Sequence, residues 1–203
     1  MGYRNAVIEI SIFSTVIMLP MLIVGIMAAF GVNYHLKDVK GDNISSNSTI
    51  PNTAFVLFIQ EDIDDGKSSN VIGFICLIID FISRVLQIYF MFYLKHNKQL
   101  ISYMKIVAVT SIIGNLGHLV FFASAMTHYR DVEIQDQERT DTSINEIFKA
   151  AIRTERYDIT IITFSIITGI SAIVLMILVC FCKIKGKRRK LRNSQITANT
   201  PNN

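Results

Sequence analysis

The chain has 203 residues, of which 51% are hydrophobic and only 18% charged, and its mean hydropathy is +0.41. Soluble domains carry ~25% charged residues, so an ordinary water-soluble domain is excluded. The net charge of +4 originates in one tail segment, Lys183, Lys185, Lys187, Arg188, Arg189, Lys190 and Arg192, while the rest is slightly acidic. Beside an apolar block such a run needs no nucleic acid as its partner.

Apolar residues gather in four blocks, 6–32, 71–94, 101–127 and 159–182. Each meets the ~20 residues that a helix needs to cross a bilayer. They predict an all-α membrane protein, a four-transmembrane-helix bundle embedded in lipid. Lys and Arg concentrate on the cytoplasmic side of spans. Arg4 lies in the leading segment 1–5, Lys95 and Lys98 lie in the short connection 95–100, and the seven cations lie in the tail 183–203. The long loops lean the other way: residues 31–70 hold three lysines against six carboxylates, and residues 128–157 hold five cations against seven. Both termini are therefore expected inside, with loops 33–70 and 128–158 outside.

The first block exceeds the ~7 to 15 apolar residues of a signal peptide, and Met27 spoils a cleavage motif ending at Ala29. It is expected to remain as a span, with Glu9 snorkelling to the headgroups and Pro20 kinking the helix. The loop after it carries two N-x-[ST] acceptors, Asn43 and Asn47, which predict a glycoprotein if that loop is outside. Residues 41–53, rich in Ser, Asn and Thr, read as an exposed tip. The apolar run 54–59 reads as a loop packed against the helix ends, with a short strand or a patch lying on the membrane surface as the alternatives. The acidic stretch Glu61, Asp62, Asp64, Asp65 ahead of Gly66 reads as a solvated turn, because it lacks the spacing of a calcium loop.

Inside the second and third blocks lie two polar stripes, Asp80, Ser83, Arg84 and Gln87 in one and Ser111, Asn115 and His118 in the other. A charge at bilayer depth costs ~2.5 to 3.5 kcal/mol on insertion scales and normally faces the bundle interior. Folded back as a hairpin about residue 99, Asp80 meets His118, Arg84 meets Asn115 and Gln87 meets Ser111. Asp80 and Arg84 are also spaced i, i+4, as an intrahelical ion pair requires. The stripes read either as polar glue between helices or as an ion, proton or ligand path. Small residues mark close-packing faces at Gly25 and Ala29, Gly114 and Gly117, and Ser165, Gly169 and Ala172.

In the second outside loop, Ser143 and Glu146 form a capping box. Ile144, Ile147, Phe148, Ala151 and Ile152 then recur on one helical face, and neither Gly nor Pro interrupts the run to residue 159. An amphipathic extracellular extension of the fourth helix follows, and its apolar face is a candidate partner surface. Cys180 and Cys182 stand directly before the basic tail, a combination suited to S-palmitoylation and to anionic lipid.

The chain has no Trp and no cysteine in either outside loop. It therefore lacks the Gly-Leu-Trp of claudins, the Cys-Cys-Gly of tetraspanins and the extracellular cysteines of connexins. No metal cluster, cofactor loop or catalytic motif is visible, so the chain is read as no enzyme, with no cofactor. The function expected is that of a four-pass cell-surface protein at the plasma membrane, reached by the secretory pathway. It would act through other membrane or cell-surface proteins in adhesion, junction formation or cell-cell recognition, or as an accessory subunit for folding, trafficking or tuning of a channel or receptor. The alternatives are an intracellular vesicle membrane as location and, as activity, a small oligomeric transporter or channel using Asp80, Arg84 and His118.

Overall fold

The structure is a computed structural model that describes the backbone of residues 3–42, 53–93, 100–136 and 142–198, and the side chains of residues 5–31, 61–93, 102–131 and 149–180. Four helices account for the described backbone: α1 (Tyr3–Asp42), α2 (Thr53–Tyr93), α3 (Leu100–Asp136) and α4 (Thr142–Ala198). Each contains a stretch long and apolar enough to cross a membrane, Asn5–Gly31, Glu61–Tyr93, Ser102–Asp131 and Lys149–Cys180. The chain is thus an all-helical protein with four candidate spans.

The helices form a closed ring, α1 against α2 and α4, and α3 against α2 and α4. That leaves α2 and α4 at opposite corners, running in the same direction. At one end, the loop end, α1 leads toward α2 and α3 toward α4; the terminal end carries both chain termini.

Burial is inverted relative to a water-soluble protein. Large apolar side chains such as Phe13, Ile23, Ile106, Ile113 and Ile170 face outward, whereas Asp80, Arg84, Ser111, His118, Asp158 and Thr168 are fully buried. With lipid outside there is no hydrophobic gain from hiding Ile or Phe, so the polar groups take the interior.

The interior is layered along the bundle axis. Val7, Met91, Met104, Leu175 and Val179 pack at the terminal end. Next comes the polar layer, then a second apolar layer of Met18, Met21, Leu77, Phe122 and Ile161, and finally a second polar group, Asn70, Tyr129 and Asp158.

Two expectations are corrected. The run 54–59 is helix rather than strand or loop, and Glu61 to Gly66 is not a turn, because α2 starts at Thr53 and continues through both. The acidic residues keep one face wet while Ile63 is fully buried, and Gly66 fits because a Cβ there would press on the Tyr129 ring at 3.1 Å. The expected run of the Ser143 helix into the last span is observed, since α4 is continuous over 57 residues. Pro20 sits exposed within α1 without ending it.

The register of α2 against α3 is also corrected. A Cβ at Gly114 would meet the Asp80 backbone nitrogen at 3.0 Å, one at Gly117 would meet Cys76, and one at Gly73 would meet Phe122. These approaches centre the hairpin about one turn from the expected register, near residue 97 and inside the 95–100 connection.

Candidate functional site

The polar layer is built around one carboxylate. Asp80 Oδ1 accepts from Arg84 Nε at 2.9 Å and from Ser111 Oγ at 2.5 Å. Its Oδ2 accepts from Arg84 Nη2 at 3.2 Å and lies 3.5 Å from both Asn115 Nδ2 and His118 Nε2. The intrahelical pair expected from the i, i+4 spacing is present, with both side chains fully buried.

Arg84 has five N–H donors, and five hydrogen bonds leave it. Beyond the two to Asp80, Nη1 donates to Ser14 Oγ on α1 at 2.6 Å and to Ser171 Oγ on α4 at 2.9 Å, and Nη2 donates to the Thr168 carbonyl at 2.8 Å. One guanidinium therefore ties α2 to α1 and α4 while its carboxylate partner ties α2 to α3. The hydroxyls around it share a pattern: Ser14 donates to Ser11 O, Ser171 to Thr168 O and Thr168 to Ser165 O. Each gives its single proton to its own helix and turns its lone pairs to the centre.

The same reasoning assigns the His118 tautomer. Ser165 Oγ donates to Ile161 O at 2.7 Å, so it can only accept from His118 Nδ1 at 3.0 Å. The ring proton sits on Nδ1, and Nε2 accepts from Asn115 Nδ2 at 3.3 Å. Asn115 also donates to Thr168 Oγ1 at 3.0 Å. Gly169 is required beside it, since a Cβ there would stand 2.6 Å from Asn115 Oδ1.

Two of the three expected cross-helix pairs do not form. Asn115 sits with Asp80, Thr168 and Ser165 rather than with the Arg84 guanidinium, and Ser111 donates to Asp80 rather than to Gln87. The carboxylate offers about four lone-pair sites and draws in the donors of α3, which frees Arg84 to turn toward α1 and α4. Gln87 is buried with neither amide atom partnered among the described residues, and Ser11 Oγ is in the same condition. Ser83 donates back to Ile79 O of its own helix. Gln87→Met is expected to raise stability by about 1 to 2 kcal/mol, since it removes a buried amide without partners while keeping its length. A thermal melt in detergent checks it, and a drop of that size would show an unrecognised partner.

A second group at the loop end was not anticipated from the sequence. Asn70 of α2 donates to Ala28 O of α1 at 3.4 Å and lies 3.5 Å from Asp158 Oδ2 of α4. Asp158 and Tyr129 are 0% exposed, and Asp158 Oδ1, Asn70 Oδ1 and the Tyr129 hydroxyl have no hydrogen-bond partner among the described residues. Asp158 stands at the edge of an apolar block, where a carboxylate reads as a helix-end charge, and Asn70 and Tyr129 lie just beyond two others. Only their common height on three helices reveals the group.

Of the other expected sites, Cys180 is half-buried, Ala151 is buried within the bundle and Ile152 is half-buried. Asn43, Asn47 and the 41–53 tip lie largely outside the described residues, as do the side chains of Ile144, Ile147, Phe148 and Cys182. Among the described residues no three His, Cys, Asp or Glu side chains are grouped to hold a metal ion.

Fold and site together define a four-helix membrane-type bundle with an ion pair sealed at its centre. No family model, no curated protein and no solved structure matches the chain.

Proposed function

We propose that the chain is a non-catalytic four-pass protein of the cell surface that works through protein-protein contact at its loop end. The roles in view are adhesion, junction formation or cell-cell recognition, or service as an accessory subunit to a channel or receptor. The observation that carries this reading is the closure of the polar centre. All five Arg84 donors and both Asp80 oxygens are occupied by the chain's own groups, which supports a structural role for this charge pair, tying the helices together, over a place in a conduction path. Support for an outside loop end comes from the Lys and Arg distribution and from the acceptors Asn43 and Asn47.

In this reading the protein reaches the plasma membrane by the secretory pathway, is glycosylated in its first loop and keeps both termini in the cytoplasm. The basic tail contacts anionic lipid, assisted by acylation at Cys180 and Cys182. The rest of the partner face, Ile144, Ile147 and Phe148, receives a membrane or cell-surface protein. The deciding experiment replaces Asp80 and Arg84 together by leucine in the full chain. Surface delivery and the cellular phenotype are expected to persist; loss of phenotype with normal delivery would instead favour a transporter or channel built on Asp80, Arg84 and His118.

A further inference from the structure

Just beyond the apolar blocks, α2 exposes Glu61, Asp64 and Asp65, and α4 exposes Lys149, Arg153 and Arg156. None of the six forms an ion pair with another of the described residues. Each set repeats at three to four residues, so each forms a stripe on one face of its helix.

The stripes leave opposite sides of the molecule, because α2 and α4 occupy opposite corners of the ring. Their heights match. Asn70 and Asp158 meet across the bundle at 3.5 Å, which places those two positions on one level. The helices run in the same direction and rise equally per residue, so Asp65 stands level with Arg153, and one turn further out Glu61 stands level with Lys149. On the basic side, Lys149, Arg153 and Arg156 surround Ile152 in a groove of about 280 Å³, an apolar floor for the stem of an acidic side chain.

A membrane holds every copy of a spanning protein at one height with the same end up. When two copies lie side by side, the acidic stripe of one therefore faces the basic stripe of the next without any vertical shift. From this match of sign, spacing and height we infer that the chain associates with further copies of itself in the plane of the membrane, α2 of one copy against α4 of the next. The counter-stripe that the basic groove needs is already on the chain, at the level where a neighbour would present it. The two surfaces are different patches, so the contact is heterologous and generates a ring or an open row rather than a closed pair. Exposed ion pairs are individually weak and are screened by salt, so association depends on several rungs together and on confinement to the bilayer.

The test uses the full chain in phosphatidylcholine vesicles, labelled through C-terminal tags with donor or acceptor fluorophores. Energy transfer above the level of random proximity is expected, and it should fall to that level in molar salt. Reversing the basic stripe (K149E, R153E, R156E) or the acidic stripe (E61K, D64K, D65K) should each abolish the transfer. A chain carrying both reversals should regain it, as should a mixture of the two singly reversed chains, and that recovery excludes misfolding as the cause of the loss. In the unaltered chain, a zero-length carbodiimide should join Glu61 of one isotopically light copy to Lys149 of a heavy one. Transfer that persists in either singly reversed chain overturns the inference. So does failure of the doubly reversed chain to recover, or association that needs anionic lipid, which would make the basic stripe a lipid contact.

Discussion

Arg84→Leu is expected to be the most damaging single substitution in the bundle, lowering stability by about 3 to 5 kcal/mol. The cost is not the loss of one favourable contact. Removing the guanidinium leaves the Asp80 carboxylate buried at 0% exposure with only Ser111, Asn115 and His118 around it, and an uncompensated buried charge is what makes broken ion pairs expensive. Two further acceptors, Ser14 Oγ and Ser171 Oγ, lose the Arg84 donor at the same time, and Thr168 O is left with Ser171 Oγ alone among the side-chain donors. Arg84→Lys should be intermediate, since an ammonium keeps the charge but has three donors in place of a five-donor planar fork. The diagnostic comparison is the pair Asp80→Leu with Arg84→Leu, expected to melt in detergent above the single Arg84→Leu variant because no lone charge remains. If the double variant melts below the single one, the lone Asp80 carboxylate is sufficiently stabilised by Ser111, Asn115 and His118, and the picture of mutual neutralisation is wrong.

This centre was partly legible before any coordinates. Asp80 and Arg84 stand out in an apolar block because charges there are costly, and the i, i+4 spacing gives their pairing directly. Ser111, Asn115 and His118 share one helical face by the same counting. Legibility failed where side-chain reach replaced backbone register. A rung-by-rung hairpin assumes that each polar residue pairs with its opposite number, whereas a carboxylate gathers Ser111, Asn115 and the His118 ring from two turns of α3. The close approaches at Gly73, Gly114 and Gly117 show the true register, and of these Gly114 and Gly117 were visible as small residues without an assigned partner. Ser14, Thr168 and Ser171 were missed for a different reason. Hydroxyls in membrane helices commonly bond their own carbonyls, so nothing in the sequence separates those that also accept from an arginine. The helical course of 53–70 was hidden by its acidic cluster and Gly66, both of which favour turns when isolated; burial of Ile63 and of the Tyr129 ring against Gly66 outweighs that preference.

Asp158→Asn is expected to shift stability in the direction opposite to Asp80→Asn, raising it by about 1 to 3 kcal/mol. Both carboxylates are fully buried, but their surroundings differ. Asp80 has an arginine at 2.9 Å and a hydroxyl donor at 2.5 Å, whereas Asp158 has a single long contact, Asn70 Nδ2 at 3.5 Å, and a second oxygen without any partner among the described residues. An amide has the shape of the carboxyl group, carries no charge at any pH and brings two N–H donors. Those donors would stand beside the unpartnered Asn70 Oδ1 and the Tyr129 hydroxyl oxygen, so the substitution supplies what the layer lacks. Asp80→Asn does the reverse, since it strips the negative charge from Arg84 and should lower the melting temperature. Side-by-side melts of the two asparagine variants in one detergent decide the matter. If Asp158→Asn is as destabilising as Asp80→Asn, then Asp158 has a cationic or donor partner among the groups outside the described residues. In that case the loop-end layer is held by an ion pair as the central one is. If it stabilises, the bundle carries one polar layer whose buried carboxylate is matched by its surroundings and one whose buried carboxyl group is held at a cost.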